Sequence, residues 1–235
     1  MTIQPPLLSI LIPTLQERQE QFAQMSAALT AQIRSHGLED EVEVLNLSDN
    51  RERSVGEKRN WLLDQASGLF VAFVDDDDVL SDEYLPSICD AIRSNPDIDC
   101  IGIKLCITFA GTNPRDLIHS LRYQEYFSKN GTYFRPPCHL NPIRRSIAQR
   151  YRFEPVSYSE DIDWAMRLCR DKALKREHYI DSTLYYYLSR RSYKYQWLLD
   201  RTEAIRHALG IRLANRILLK NRFLSLFSLS RRGAN

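Results

Sequence analysis

Short apolar runs alternate with longer stretches of helical character between Leu7 and Thr108. Four runs have the length and composition of strands: Leu7–Ile12, Glu41–Leu47, Leu69–Val74 and Cys100–Thr108. Strand–helix–strand units of this spacing join parallel neighbours by right-handed crossovers. The alternation therefore predicts an α/β fold with a mostly parallel central sheet flanked by helices.

The segments between these runs predict the helices. The expected helices are Thr14–Ser35, Gly56–Ala66, Ser81–Ser94, Pro142–Tyr151 and Glu160–Lys172. After Gly111 the pattern becomes irregular, and the aromatic segment "STLYYYLSRRSYKYQW" predicts an edge strand that leads into a C-terminal helix. We therefore expect one large domain over residues 1–192 and a basic, helical C-terminal extension over residues 193–235.

Composition and charge narrow the class of protein. The chain has 235 residues, 43% of them hydrophobic, which is enough for a sizeable core. Its net charge of +2 is unevenly distributed: residues 201–235 carry eight Lys or Arg and one acid, so residues 1–200 are net acidic. The five cysteines are scattered without CxxC spacing, as in a reduced cytoplasmic protein. No basic n-region of a signal peptide precedes the first apolar run.

Four consecutive carboxylates follow the third predicted strand in "VAFVDDDDVL". In parallel sheets, ligands bind beyond the carboxyl ends of the strands, where Pro13, Thr14, Asp49 and the run Asp75–Asp78 all fall. Mg²⁺ and Mn²⁺ prefer oxygen ligands and commonly join one or two carboxylates to a substrate phosphate. The run therefore predicts a metal or nucleotide site. The alternative is a solvated acidic turn, or carboxylates that favour the N-terminus of the next helix.

Two further polar clusters could carry function. Lys58, Arg59 and Asn60 fall near a helix N-terminus, where cations oppose the helix dipole, so we expect them to contact a nucleotide. The alternative is a set of surface pairs along the helix. In "SYSEDIDWAMRL" the first turn of a helix holds Glu160 and Asp161. These acids could serve the helix dipole alone, or one could be a general base.

The same helix carries two simpler expectations. Ser159 is placed to cap its N-terminus. Asp163 and Arg167 are spaced to form an i,i+4 ion pair on its surface.

Together these blocks resemble a known family. "LLSILIPTLQER", "VGEKRNWLLDQASGLFVAFVDDDDVLSDEYL" and "HLNPIRRS…F…YSEDIDWAMRL" are similar, in order and spacing, to family 2 glycosyltransferases of the GT-A (Rossmann-like) fold. The resemblance implies an inverting, metal-dependent transfer of a sugar from a nucleotide-diphosphate donor, such as a UDP- or dTDP-sugar. The acceptor would be a hydroxyl of a glycan or a lipid-linked molecule, as in polysaccharide biosynthesis.

The resemblance also assigns roles to residues. Those expected at the nucleotide-sugar donor are Pro13, Thr14, Asp49, Lys58, Arg59, Asn60, Asp75 and Asp76. Asp77 and Asp78 would bind Mn²⁺ or Mg²⁺, and Asp161 would be the catalytic base. His139 and His178 are the candidates for a further metal ligand.

The acceptor would lie along residues 113–145, with Glu160, His139 and Trp164 as its contacts. The family commonly has an aromatic residue two positions after the Pro-Thr pair, where this chain has Gln16. Stacking on the nucleotide base must therefore come from elsewhere.

The basic tail and the rival functions complete the expectations. Residues 205–232 suit either a helix lying on the inner face of an anionic membrane or a helix packed on the domain. We expect no nucleic-acid partner. A haloacid-dehalogenase-like phosphatase using Asp75 and Asp77 is the rival enzyme, and a catalytically inactive nucleotide-sugar-binding domain is the rival without catalysis.

Overall fold

The computed structural model describes residues 4–189 of the chain. Its strands are β1 (Leu8–Leu15), β2 (Val42–Asp49), β3 (Phe70–Phe73), β4 (Val79–Leu80), β5 (Cys100–Phe109), β6 (Thr112–His119), β7 (Phe127–Lys129), β8 (Thr132–Arg135), β9 (Ile143–Arg144) and β10 (Glu177–Ser189). Its helices are α1 (Gln19–His36), α2 (Val55–Gln65), α3 (Tyr84–Ser94), α4 (Arg145–Ala148) and α5 (Glu160–Arg170), with a 3₁₀ turn at Gln16–Arg18.

The strands form one sheet whose longest ladders are parallel. The main order is β2-β1-β3-β9-β5-β6-β8-β7, and β10 pairs with β5 and β4. The pairs β1–β2, β1–β3 and β5–β10 are parallel, whereas β5–β6 and β7–β8 are antiparallel. The predicted α/β fold with a mostly parallel central sheet is confirmed, since strands β1 to β3 alternate with helices as expected.

Several expected boundaries were wrong. The segment after Gly111 is not irregular, because a tight turn with positive φ at Ala110 and Gly111 folds β6 back on β5. The aromatic segment does form a strand, but β10 is not at an edge: Tyr185 pairs with Leu80 on one side and Leu105 on the other. Thr14 is the last but one residue of β1 instead of the start of a helix.

Helices cover both faces of the sheet, and β1 contributes to both cores. Ile10 packs in a cluster with Leu29 of α1 and Tyr84 of α3. The next residue, Leu11, packs in a second cluster with Leu62 of α2. Since successive strand residues point to opposite faces, a nearly continuous apolar run is what a strand buried on both sides requires.

The carboxyl ends of β1, β2 and β3 meet at one edge of the sheet. Leu15 is paired with Asp49 at the ends of β1 and β2. The amide of Val74, just after β3, donates to the carbonyl of Leu11 at 3.1 Å. The acidic run begins at the next residue, so it lies at this edge as predicted for a parallel arrangement.

Gly56 allows the loop before α5 to cross the N-terminus of α2. Its amide donates to the carbonyl of Val156 at 3.0 Å. A Cβ at this position would lie 1.8 Å from the carbonyl oxygen of Glu154. Only glycine therefore permits this approach, which brings α2 and α5 to the same end of the sheet.

The predicted features of the C-terminal extension, including the boundary at residue 192 and the membrane contact of residues 205–232, lie outside the described residues. Within residues 4–189, no helix combines the length and apolar character needed to cross a membrane.

The Gly56 contact predicts the effect of Gly56→Ala. At an open helix position, alanine is more stable than glycine by about 1 kcal/mol. Here we expect the reverse, a loss of about 1–3 kcal/mol in unfolding free energy, because the methyl group overlaps the loop. Urea denaturation measures it, with Gln65→Ala on the exposed face of the same helix as the control. An alanine variant as stable as the wild type would contradict the close packing.

Candidate active site

Each of the four carboxylates of the acidic run has a partner within the protein. Asp75 lies between two cations. Its Oδ1 is 3.1 Å from Arg59 Nη2, and its Oδ2 is 3.7 Å from His139 Nε2. Burial alone would raise the pKa of Asp75, but Arg59 and His139 outweigh it and hold the pKa well below its usual range. Asp75 is thus kept as an anion by cations of the protein itself.

Asp76 and Asp77 share a cation that the sequence analysis did not identify. Arg18 Nη1 lies 2.7 Å from Asp76 Oδ1 and 3.4 Å from Asp77 Oδ2. Asp76 is buried and also accepts a hydrogen bond from the Thr14 hydroxyl. Asp77 is more open, with 28% of its side chain exposed. Of the two residues predicted to bind metal, Asp77 is the one that a ligand can reach.

Asp78 points into the protein. Its Oδ2 accepts a hydrogen bond from the Tyr185 hydroxyl, and its Oδ1 accepts one from the amide of Leu188, both at 2.8 Å. Burial, with the nearby negative charge of Asp75, raises the pKa of Asp78 to about 8. Both oxygens are therefore used to join the acidic run to β10, and metal binding by Asp78 would break these bonds.

Lys58 joins the ends of β1 and β2. Its ammonium group is buried, forms an ion pair with Asp49 and donates to the carbonyl of Thr14 at 2.6 Å. Asp49 also accepts the amides of Arg51 and Arg53, at 3.1 and 3.0 Å. Burial would raise the pKa of Asp49, but Lys58 and the amides outweigh it and lower the pKa. These residues build the expected edge, and Asp49 shapes the loop after β2.

Arg59 connects the acidic run to α5. Its guanidinium lies beside the rings of both Phe73 and Phe153, 5.7 and 5.6 Å from their centroids, and its Nη1 lies 2.9 Å from Glu160 Oε1. Burial raises the pKa of Glu160, and Arg59 offsets only part of this effect. Because Glu160 is buried and paired, it is not placed to contact an acceptor.

Asn60 does not face the nucleotide edge. Its amide nitrogen donates to the carbonyl of Phe153 and its amide oxygen accepts the amide of Phe153, both at 2.8 Å. The side chain thus holds the loop before α5. Asn60 was predicted as a donor contact because it follows Arg59, but consecutive helix residues point in different directions.

Asp161 lies in the first turn of α5, beside the acidic run. Its Oδ2 is 3.8 Å from His139 Nδ1, and 34% of its side chain is exposed. His139 therefore stands between Asp75 and Asp161, two acids far apart in the chain. The expected capping by Ser159 was wrong: Ser159 has φ of 66° and makes no capping side-chain hydrogen bond. The predicted ion pair of Asp163 and Arg167 is confirmed, at 2.8 Å.

Two other predicted residues are not at the site. Trp164 is 1% exposed, stacks on Phe153 and donates to the carbonyl of Tyr151, so it belongs to the core and not to an acceptor surface. His178 lies at the beginning of β10, whereas the acidic run meets that strand near Leu188, at the other end. His178 is therefore too far along the strand to complete a metal site.

The site as described fits a divalent cation that a substrate helps to hold. Within residues 4–189 there is no group of three His, Cys, Asp or Glu side chains that could by itself bind a metal. Mg²⁺ and Mn²⁺ do not need one when a diphosphate supplies further oxygens. The partly exposed carboxylate of Asp77 is the hard oxygen ligand that such an ion requires.

Comparison with known proteins identifies the family. The family model "Glycosyl transferase family 2" matches residues 26–152, more than half of the chain. The chain therefore belongs to glycosyl transferase family 2. Family membership decides against the phosphatase alternative, and no curated protein gives a match.

The solved structures agree on the GT-A fold. S. aureus TarS 1-349 in complex with UDP-GlcNAc is 20% identical, with a TM-score of 0.54, over 79% of this chain and 59% of that one. The same protein in complex with UDP is 17% identical, with a TM-score of 0.54, over 89% of this chain and 76% of that one. At this identity the likeness shows the fold alone, and the chain spans about three fifths of the first of these structures.

The Asn60 contacts separate a structural role from a nucleotide role. Asn60→Ala removes two hydrogen bonds, so we expect a loss of about 2 kcal/mol in unfolding free energy. Nucleotide affinity of the folded protein should stay unchanged in isothermal titration. Asp64→Asn, which breaks only an exposed pair with Arg152 on the same helix, is the control and should cost less than about 1 kcal/mol. Normal stability with lost nucleotide affinity would instead indicate that Asn60 contacts the nucleotide-sugar donor.

Proposed function

We propose that the chain is an inverting, metal-dependent glycosyltransferase. It moves a hexose from a nucleoside-diphosphate donor to a hydroxyl of a glycan or lipid-linked acceptor. The observation that carries the proposal is the approach of Asp161 to the acidic run: His139 contacts Asp75 with one ring nitrogen and Asp161 with the other. A reachable carboxylate at the ligand edge of a family 2 domain is suited to deprotonate an acceptor.

Asp161 acts as the general base in this proposal. Its exposed fraction leaves it open to an incoming hydroxyl, whereas Glu160 beside it is buried against Arg59. The acceptor oxygen gives its proton to Asp161, forms a bond to the anomeric carbon and displaces the diphosphate from the opposite face. A single displacement of this kind inverts the anomeric configuration.

The other polar residues hold the donor. Thr14 and Lys58 keep the ends of β1 and β2 in register beside Asp76, so the nucleotide has a fixed edge to bind. Asp77 would hold Mn²⁺ or Mg²⁺ together with the diphosphate. When bound, the ion supplies positive charge that stabilises the departing diphosphate. Arg18 is close enough to Asp77 to contribute charge at the same place.

The donor is best sought among UDP-sugars. Two structures of similar fold contain UDP-GlcNAc and UDP, which makes these nucleotides the first to test. In this proposal the nucleotide base lies beside the end of β2, where Asp49 is located.

The acceptor is proposed to bind along β6 to β8. Tyr123, Phe127 and Phe134 form an aromatic cluster there, with centroids 4.9–5.6 Å apart. The guanidinium of Arg135 lies over the ring of Tyr126, at 5.2 Å. Aromatic faces pack well on sugar rings, and β8 leads directly to the loop that holds His139.

Asp161→Asn tests the general base. We expect kcat for sugar transfer to fall by about 10²–10⁴-fold, because the amide cannot accept the proton. Metal-dependent nucleotide binding should remain. Asp163→Asn, two residues further in the same helix, removes only the surface pair with Arg167 and should keep turnover. If both variants turn over like the wild type, Asp161 is not the base. A wild type that binds nucleotide yet transfers no sugar to any acceptor would favour the inactive binding domain.

Thermal denaturation with nucleotides tests the donor and the metal. We expect UDP to raise the melting temperature only with Mn²⁺ or Mg²⁺, because the ion must balance the diphosphate beside the acidic run. A ligand at 100 times its Kd stabilises the folded protein by about 2.7 kcal/mol. Asp77→Asn should abolish the metal-dependent part, and Asp163→Asn should not. An equal rise of the melting temperature with and without metal would contradict the proposed metal dependence. No rise with any nucleotide would contradict the proposed function.

A further inference from the structure

His139 is fixed at the end of the central strand β3. Its carbonyl accepts the amide of Phe73 at 2.9 Å, and its ring packs at a tilt against the ring of Phe73, with centroids 6.3 Å apart. Only 5% of the residue is exposed. The backbone and the ring are therefore held by the core, and the imidazole has little freedom to turn away.

The two ring nitrogens of His139 each face a carboxylate. Nε2 lies 3.7 Å from Asp75 Oδ2, and Nδ1 lies 3.8 Å from Asp161 Oδ2. Within the described residues neither nitrogen has a hydrogen-bond partner at a shorter distance. A buried polar group without partners is costly unless a charge interaction replaces them. Two facing carboxylates are the environment that a doubly protonated imidazolium needs.

Arg59 makes the same kind of connection on the other side of Asp75. One of its nitrogens pairs with Asp75 Oδ1 and another with Glu160. Each oxygen of Asp75 thus meets a different cation, and each cation reaches one of the first two acids of α5. The two cations and three acids therefore form one connected group of charges: Asp75, Arg59, Glu160, Asp161 and His139.

We propose that His139 is a positioning residue that, as an imidazolium, holds the carboxylate of Asp161 in its reactive orientation. This inference rests on the proposed function, in which Asp161 is the base. Arg59 anchors the start of α5 through Glu160, and His139 then sets the Asp161 side chain. A base held by a rigid, buried partner loses less orientational freedom when the acceptor arrives.

The charges that face His139 support its protonation. Burial and the cation of Arg59 would both lower the pKa of His139, but the nearby Cys138 and Asp75 outweigh them and raise the pKa to about 10. Cys138 lies 3.3 Å from the Nδ1 of His119. Burial would raise the pKa of Cys138, and His119 and His139 outweigh it and lower the pKa to about 5. His139 therefore faces two carboxylates, a thiol of low pKa and one cation.

This arrangement replaces the roles first expected for His139. Each ring nitrogen of His139 already faces a carboxylate of the protein, so neither is directed at a metal ion of its own. A contact with the acceptor needs exposure, and the ring is buried. A buried residue that orients Asp161 without touching the acceptor satisfies both observations.

Nitrogen NMR of the wild type, without donor or added metal, tests the contact directly. Histidines are labelled with ¹⁵N, and His139→Gln assigns the signal among the five histidines of the chain. We expect both ring nitrogens of His139 to carry protons at pH 8, and Asp161→Asn to make the ring lose its proton at lower pH. A neutral ring at pH 7, or a titration that Asp161→Asn leaves unchanged, would overturn the inference while leaving the proposed function intact.

Kinetics of His139→Gln tests the positioning role. We expect kcat to fall by about 10²-fold with the KM of the donor little changed, because only the orientation of the base is lost. The control is His178→Gln, which alters a histidine at the beginning of β10, far from Asp161 and from the acidic run. An unchanged kcat, or equal losses of kcat in both variants, would overturn positioning by His139. A wild type without transferase activity would instead refute the proposed function, and the NMR result would still decide the contact.

Discussion

Compensation of the partly buried charge of Asp75 organises the ligand edge of this protein. Removing a carboxylate from water costs several kcal/mol unless cations and hydrogen bonds replace the solvent. Removing one partner of a buried ion pair destabilises a protein by a similar amount. Asp75 obtains both cations from distant segments, Arg59 from α2 and His139 from the loop after β8. The two cations in turn reach the first turn of α5. The position of the candidate base therefore depends on the charge at the end of β3.

The acidic run divides its work between structure and ligand. Asp75 and Asp78 point to protein partners and fasten β3 to α2, α5 and β10. Asp76 is held by Arg18 and Thr14, and Asp77, with 28% of its side chain exposed, lies beside the same arginine. Four adjacent carboxylates can thus coexist because each has a partner within the protein. The described residues offer no group of three ligands for a metal, so in the proposed function a diphosphate supplies the remaining oxygens.

The sequence was informative where periodicity and position along the sheet decide the outcome. The alternation of strands and helices predicted the parallel core, and the carboxyl edge predicted which residues gather there. It failed where side-chain direction or a distant partner decides. Asn60 and Trp164 follow motif residues in the chain but point into the protein, and neither composition nor spacing reveals that direction. Arg18 and Tyr185 were missed because their acidic partners lie far away in sequence. In the sequence, the only signal for Arg18 was the presence of a cation soon after the first strand.

A crystal of the protein soaked with UDP and Mn²⁺ would show whether the acidic edge binds the donor. We expect the diphosphate at the carboxyl edge of β1 to β3, with Mn²⁺ bound by Asp77 and the Asp161 carboxylate open on the opposite side of the sugar position. A nucleotide bound elsewhere, or Mn²⁺ held without Asp77 while the acidic edge stays solvated, would contradict this expectation.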